Sequence, residues 1–276
     1  MTRGHKGGPL RGPGHHAEDD RAPAMPALAN RPVPSSRTGA AEGEAMRTLP
    51  QRLLLISLDE DGKPRDPRSS LANGLAGAAL MDLVLAGRLG QEDGRLVACG
   101  GESAGDELLD FVLAEIRGQQ RPRKLKWWVN RLGSGGWGRA PVRRRLIEQL
   151  TRAGVLRQGE ERVLGLVPVT RHPPSDPALA ERERAAVREV LVAGREPDAA
   201  LVALVALVRV CGLVDACVDK LERRAARQRA KQLSEGDQVS GAVRQLHDTE
   251  AAVLAAVIAA SAASGGSGGA ASGGGS

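Results

Sequence analysis

Arg143, Arg144 and Arg145 stand in a row near an expected helix start, just after Pro141, a residue tolerated in a first helical turn. A guanidinium grips a phosphate through two parallel hydrogen bonds, and the exposed N–H groups of a helix start add to the pull on an anion. The triplet closes a longer basic island: from Arg117 to Arg145 ten residues are basic and none is acidic. All three tryptophans, Trp127, Trp128 and Trp137, lie inside it. Trp favours places where one edge is dry and the other wet. Over the whole chain Lys and Arg number 39 against 33 Asp and Glu, so outside the island the balance is slightly acidic. A basic island in an acidic body predicts an anionic partner, whether nucleic acid, membrane surface or phosphate. The plain alternative is a solvated charged face with one or two core tryptophans.

Other chemistry is poorly supplied. Of the five histidines, His5, His15 and His16 fall in the N-terminal tail, leaving His172 and His247. H-E-x-x-H and C-x-x-C are both missing from the chain. Gly133, Gly135 and Gly138 satisfy G-x-G-x-x-G. That motif cradles a pyrophosphate only after a strand, and here it follows a helical pattern, so it reads as a helix–helix link. Cys211 and Cys217 fall about 240° apart round a helix, which suits buried small side chains rather than paired ligands. Glu181 and Glu183 alternate with Arg182 and Arg184 as a solvated helix face would. Lys220, Arg223, Arg224, Arg227, Arg229 and Lys231 spread round another helix and read as solvated. The expectation is a protein without catalysis, cofactor or metal.

The elements that must position the arginines follow from pattern. Residues 1–45 hold six Pro and seven Gly but only three of Leu, Val, Ile or Phe, and residues 263–276 are Ala, Ser and Gly alone. Neither tail offers enough apolar surface to offset the entropy of ordering, so both are expected to be disordered around a domain at 46–262. The core is built from Leu, Val and Ala with no Tyr, which favours helices. Thr48 and Gln51 make a capping box ahead of Leu53–Ile56. A helix spans about 68–86 with Leu71, Leu75, Ala78, Ala79 and Leu83 on one face, and Gly87 ends it. Asp93-Gly94 turns a hairpin over 88–99. Ser103 caps a helix to about Arg117. Leu125, Trp128, Val129 and Leu132 make an amphipathic helix. A helix over 139–153 leads into a second hairpin, 155–170, turning at Gly159. Helices are expected near 177–193, 197–213, 215–232 and 238–262. The longest uncharged apolar run, Ala199–Val208, has ten residues where a bilayer span needs about twenty. With no apolar leader at the N-terminus, the expectation is a cytoplasmic protein. The fold class predicted is mainly α, a single helical bundle with two short β-hairpins.

Helix 139–153 followed by a hairpin is also how a winged-helix DNA binder reads, with the basic helix in a major groove and the wing on phosphates. Asn and Gln base readers are lacking at the helix start.

Several strings, in order, resemble one known family. They are Leu53-Leu54-Leu55 with an acidic-glycine loop after it, then Gly74-Leu75-Ala76-Gly77 running through Leu80-Met81-Asp82-Leu83 to Gly87-Arg88-Leu89. Gly105-Asp106, Leu108-Leu109-Asp110 and Trp128 come next. After Trp137 follow Arg143-Arg144-Arg145-Leu146, Leu150 and Gly154-Val155-Leu156, and then Thr170, His172 and Pro173. From about Leu49 to Ala262 the chain resembles the Golgi phosphoprotein 3 family, and looks like its bacterial, actinobacterial-type members. The resemblance implies a mainly helical fold and a non-enzymatic role. Eukaryotic relatives are peripheral membrane proteins that read phosphatidylinositol 4-phosphate and retain glycosyltransferases as adaptors. Their lipid pocket uses an aromatic before the second helix, an arginine in the G-L-x-G element, and two arginines three apart at the start of the helix before the hairpin. Here those positions are near Pro67, at Ala76, at Ala140 and at Arg143, so one of the four is retained. Arg65, Arg68, Arg139, Arg144 and Trp137 are the neighbouring candidates. The family's hairpin corresponds to Val155–Val167, with an expected polar tip at Gln158-Gly159-Glu160-Glu161, and a weak homo-oligomer through it is a further expectation. Three functions follow: a peripheral protein at the inner face of the membrane that binds anionic phospholipid, phosphoinositide by resemblance, with a protein cargo as adaptor; a nucleic-acid-binding module using the same face; or a protein-only scaffold for an acidic partner.

Overall fold

Two stretches of the chain have no polar face to offer water, and they form the centre of the molecule. The computed structural model describes residues 47–65, 70–101, 103–133, 141–163, 167–235 and 255. Helix α2 (Ser70–Leu85) buries Asn73, Gly74, Ala76 and Gly77 as well as its leucines. Helix α7 (Ala199–Val210) buries every residue from Leu201 to Val208. A helix apolar on all sides is stable only when neighbours surround it. Burying one Leu or Val side chain is worth about 1.5–3 kcal/mol, so this pair anchors the fold. Around α2 pack α1 (Leu49–Ser57), α3 (Glu107–Arg117), α4 (Leu125–Gly133), α5 (Pro141–Arg152) and α7. Helix α6 (Pro177–Leu191) lies on α1, while α8 (Val214–Cys217) and α9 (Arg223–Glu235) close the α6–α7 side. The fold is mainly α. One-sided packing of α2 gives way to burial all round because helices meet it on every side.

Local signals worked where a face or a turn decided the outcome. Leu125, Trp128, Val129 and Leu132 are all buried in α4. The capping box at α1 is present, with Gln51 Oε1 accepting the Thr48 N–H at 3.3 Å. Asp82 of α2 reinforces that end by accepting the Leu49 N–H at 2.7 Å. The cap of α3 is Asp106 rather than Ser103: Asp106 Oδ1 accepts from the Leu108 and Leu109 N–H groups at 2.9 and 3.1 Å. Ser103 instead donates to Asp110 at 2.7 Å and accepts the Gly105 N–H. The helix expected over 215–232 is cut in two. Arg188 of α6 reaches Asp219 at 3.2 Å and Glu222 at 2.8 Å, and so pins a turn between α8 and α9. Of the helix expected over 238–262, only Ala255 is among the described residues, and it is helical.

Strands β1 (Leu89–Glu92) and β2 (Arg95–Ala98) pair antiparallel across Asp93 and Gly94, both at positive φ. A third strand, β3 (Arg123–Lys124), joins them through Arg95↔Lys124 and Leu96↔Arg123, so the first hairpin is part of a three-stranded sheet. The second hairpin pairs β4 (Gly159–Val163) with β5 (Val167–Arg171). Its turn is not at Gly159, which pairs with Arg171 at the base. Pairing continues outward beyond that point, through the Leu156↔Pro174 bridge and the Arg157 N–H to Pro173 oxygen bond of 2.9 Å. Gln158–Glu161 is therefore no tip. The residues joining Val163 to Val167 are Leu164, Gly165 and Leu166, which lie outside the described residues.

The α6 face expected in solvent is half buried. Glu183 accepts Arg52 Nε of α1 at 2.7 Å and lies 3.8 Å from Arg47. Arg184, also buried, donates to the Leu58 oxygen and meets Glu181 at 3.2 Å. Packing of α6 against α1 brings these charges inside as pairs, the form in which buried charge is tolerated. Cys211 and Cys217 are buried thiols outside any disulfide, as expected, and burial pushes the Cys217 thiol up to about 12.

Candidate functional site

The three consecutive arginines of α5 do three different things. Val142, Leu146 and Leu150 turn inward, which sets the direction of the residues between them. Arg145 lies over the Phe111 ring, its guanidinium carbon 3.9 Å from the centroid. Arg144 is exposed and sits 3.7 Å from Glu148 one turn on. Arg143 is half-buried in the first turn, which carries no acidic residue. Among the described residues, no hydrogen-bond or ion-pair partner neutralises it. Arg68, Arg139 and Trp137 lie outside the described residues.

Arg143 is within electrostatic reach of His172, in the segment that follows β5. Burial first, and the charge of Arg143 second, hold the imidazole below its ordinary range. It is therefore neutral near pH 7, and its Nδ1 is buried with no hydrogen-bond partner. The segment is clamped on two sides. Ser175 N–H donates to the Val155 oxygen at 2.9 Å, continuing the ladder from Arg157 to Pro173. Opposite, Gly62 comes so close that a Cβ there would lie 2.4 Å from Pro173 N and 2.5 Å from the His172 carbonyl carbon, at a φ of +75°. Only glycine suits that position. His172 is thus held within electrostatic reach of Arg143, a cation with no counter-ion among the described residues. An anion is the partner such a cation can take.

The rest of the basic island is spread out and largely engaged. Arg117 bonds to the oxygens of Gly100 and Gly101. Arg131 reaches Glu115 at 2.9 Å. Trp127 is half-buried with the Arg123 and Arg131 guanidinium groups 5.3 and 5.4 Å from its ring centroid, and Trp128 is fully buried in the core. The outer face of α5 carries Glu148 beside Arg144, while Arg152 is held by Glu107 at 2.8 Å. Arg65 lines a different part of the surface, a cleft of about 630 Å³ with Arg209, Arg227 and Lys231. That grouping was missed in the sequence; the four-residue spacing of Arg227 and Lys231 was its only visible trace.

A polar junction was missed as well. Asp82 lies beside Asp106, which accepts from Gln51 Nε2 at 3.2 Å and Gln149 Nε2 at 2.7 Å. Burial raises the Asp82 carboxyl to about 7, against the opposing pull of the Leu49 N–H. Through its bond to the Leu49 N–H the residue ties α1 to α2. Among the described residues no group of His, Cys, Asp and Glu could hold a metal ion, and no helix is long and apolar enough to cross a membrane.

A central apolar helix ringed by amphipathic ones, with a three-stranded sheet and a β-hairpin attached, defines a mainly α-helical bundle class. Residues 49–249 match the family model described as Golgi phosphoprotein 3 (GPP34). The match begins on the first residue of α1 and runs past the end of α9. The chain belongs to the Golgi phosphoprotein 3 family.

Proposed function

We propose that this chain is a non-enzymatic, peripheral membrane protein that binds an anionic phospholipid head group at the start of α5, phosphatidylinositol 4-phosphate by family, and acts as an adaptor for a protein cargo. Arg143 carries the reading: a half-buried guanidinium with no counter-ion among the described residues, within electrostatic reach of His172, at the position where the family places a head-group arginine. A phosphate monoester seated there would take two hydrogen bonds from the guanidinium fork. The basic island from Arg117 to Arg145 would add a screened pull toward the inner face of an anionic membrane.

Nucleic-acid binding is the weaker reading. A recognition helix needs a free basic face, and α5 presents Glu148 with Arg144 and an Arg152 already held by Glu107. The test is co-sedimentation with phosphatidylcholine vesicles containing phosphatidylinositol 4-phosphate, beside duplex DNA binding at matched, near-physiological salt. Vesicle binding without comparable DNA binding is the expected result. DNA binding that exceeds vesicle binding would overturn the reading.

A further inference from the structure

Not every cation of the basic island is engaged. Arg121, Lys124 and Lys126 are exposed, and among the described residues their side chains meet no hydrogen-bond, ion-pair or ring partner. They follow one another closely, just before β3, on β3 and in the first turn of α4. Arg123, between them, has the Trp127 ring 5.3 Å away, a contact that leaves its charge in place. The fold gains nothing from this crowding. Lys124 stands opposite Arg95 across the sheet, and like charges directly opposite destabilise a ladder. Arg95 already bonds to the Pro122 oxygen at 2.9 Å and has Glu92 opposite it on its other side. The first turn of α4 carries no acid, and Lys126 there opposes the helix dipole. Glu115, the nearest acid along the chain, is taken by Arg131 at 2.9 Å. Charge kept where the fold opposes it calls for a partner outside the fold.

We propose that this corner, β3 with the start of α4, is the surface that takes an acidic, extended segment of a partner protein. It rests on the adaptor role proposed above, and it names the chemistry of the cargo. Strand β3 is an edge of its sheet, so an extended segment can lie along it. Alternate residues of such a segment put carboxylates on one side about 7 Å apart, within reach of long, flexible cationic side chains. A base would find no open ring here, because Trp127 already carries the Arg123 and Arg131 guanidinium groups. The corner is also remote from Arg143. Strand β1 of the same sheet continues from the C-terminal end of α2, whereas His172 packs on Gly62, in the loop leading to its N-terminal end. Helix α2 has 16 residues and is about 24 Å long, or about three Debye lengths at physiological salt.

Full-length protein is titrated by fluorescence anisotropy with a labelled peptide of alternating Glu and Ser, at near-physiological salt. The same peptide with Gln for Glu is the control, and duplex DNA and vesicles containing phosphatidylinositol 4-phosphate are measured in parallel. The variants are Arg121→Gln with Lys126→Gln together, and Lys124→Gln alone. Arg121 and Lys126 lie outside the β2–β3 register, so the double variant remains usable if Lys124→Gln disturbs the sheet. The wild type is expected to bind the Glu peptide and not its Gln control. The double variant should weaken the Glu peptide about fivefold or more, as for two exposed ion pairs lost together, and leave vesicle binding within about twofold. Arg143→Ala should keep peptide binding within about twofold, because its charge is screened at that distance. A wild type that binds the peptide but no vesicles supports this inference and fails only the head-group reading. The inference is overturned if the wild type does not prefer the Glu peptide, or if the double variant binds it like wild type. It is equally overturned if the double variant loses vesicles or duplex DNA as much as the peptide, since the corner would then serve a membrane or a nucleic acid.

Discussion

Replacing Asp82 by Asn should stabilise this protein near neutral pH and do little in acid. The carboxyl accepts the Leu49 N–H at 2.7 Å, a bond an Asn oxygen can also accept, so the variant removes charge and keeps the cap. Burial is the main cause of the raised pKa, with Asp106 adding to it, while the Leu49 N–H and Arg52 act against both. A shift from 3.8 to about 7 is some three units. At about 1.36 kcal/mol per unit it sets an upper bound of roughly 4 kcal/mol on the cost of ionised Asp82. Coupling to Asp106 and partial exposure reduce the expected figure to about 2 kcal/mol. The sign follows from linkage. The folded state holds this proton more tightly than the unfolded one, so the associated stability is full below the unfolded value of 3.8 and lost as pH rises through about 7. The advantage of Asp82→Asn should therefore grow between about pH 4 and pH 7 and level off above. At about 2–4 °C per kcal/mol for a domain of this size, a Tm gain of roughly 4–8 °C is expected on the alkaline side. Thermal unfolding of both proteins across that range is the assay. A variant less stable than wild type at about pH 8 would refute the reasoning, because the charge at the start of α1 would then outweigh its burial.

Glu183→Ala should cost about 2–3 kcal/mol in urea unfolding, because it takes the 2.7 Å partner from Arg52 at the α1–α6 contact, and Glu183→Gln should cost less. A Cβ at Gly74 would lie 2.3 Å from Cys211 Sγ. Gly74→Ala should accordingly lose about 1–3 kcal/mol, and adding Cys211→Ala should recover part of it; a double variant no better than the single would place the clash elsewhere. An NMR titration should find His172 below its ordinary 6.5, and Arg143→Ala should move it upward. No movement would mean that Arg143 lies out of its electrostatic reach.

Elements decided by their own residues were legible in the sequence. The i, i+3, i+4, i+7 stripe of α4 and the Asp93-Gly94 turn are local facts, and both appear as read. The misreadings have a common cause in distant partners. Alternating charges at 181–184 look solvated until α1 brings Arg52 against them. The stretch 215–232 is helical by propensity, yet the chain turns extended at Val218, and Arg188 of the distant α6 holds Asp219 and Glu222 in the turn that follows. Gly159 is a fair turn residue, yet the register that pairs it with Arg171 puts the reversal beyond Val163. At the site, the family pattern singled out Arg143 from its neighbours. Composition could not have done so, because Arg143, Arg144 and Arg145 differ only in what tertiary packing sets beside them. Arg65 and Arg209 meet in one cleft with no pattern in the sequence to announce it.

The central claim is that one arginine with no counter-ion among the described residues, rather than diffuse basic charge, holds the head group. Arg143→Ala and Arg144→Ala remove equal charge from adjacent positions, one within electrostatic reach of His172 and the other facing solvent and Glu148. Their binding to vesicles containing phosphatidylinositol 4-phosphate, compared with wild type, tests the claim most directly. Arg143→Ala should weaken binding roughly ten- to a hundred-fold, as for the loss of a charged hydrogen bond worth about 1.5–3 kcal/mol. Arg144→Ala should change it by no more than about threefold, as for a screened surface charge. Equal losses from the two variants, or none from Arg143→Ala in a protein that binds these vesicles, would contradict the account.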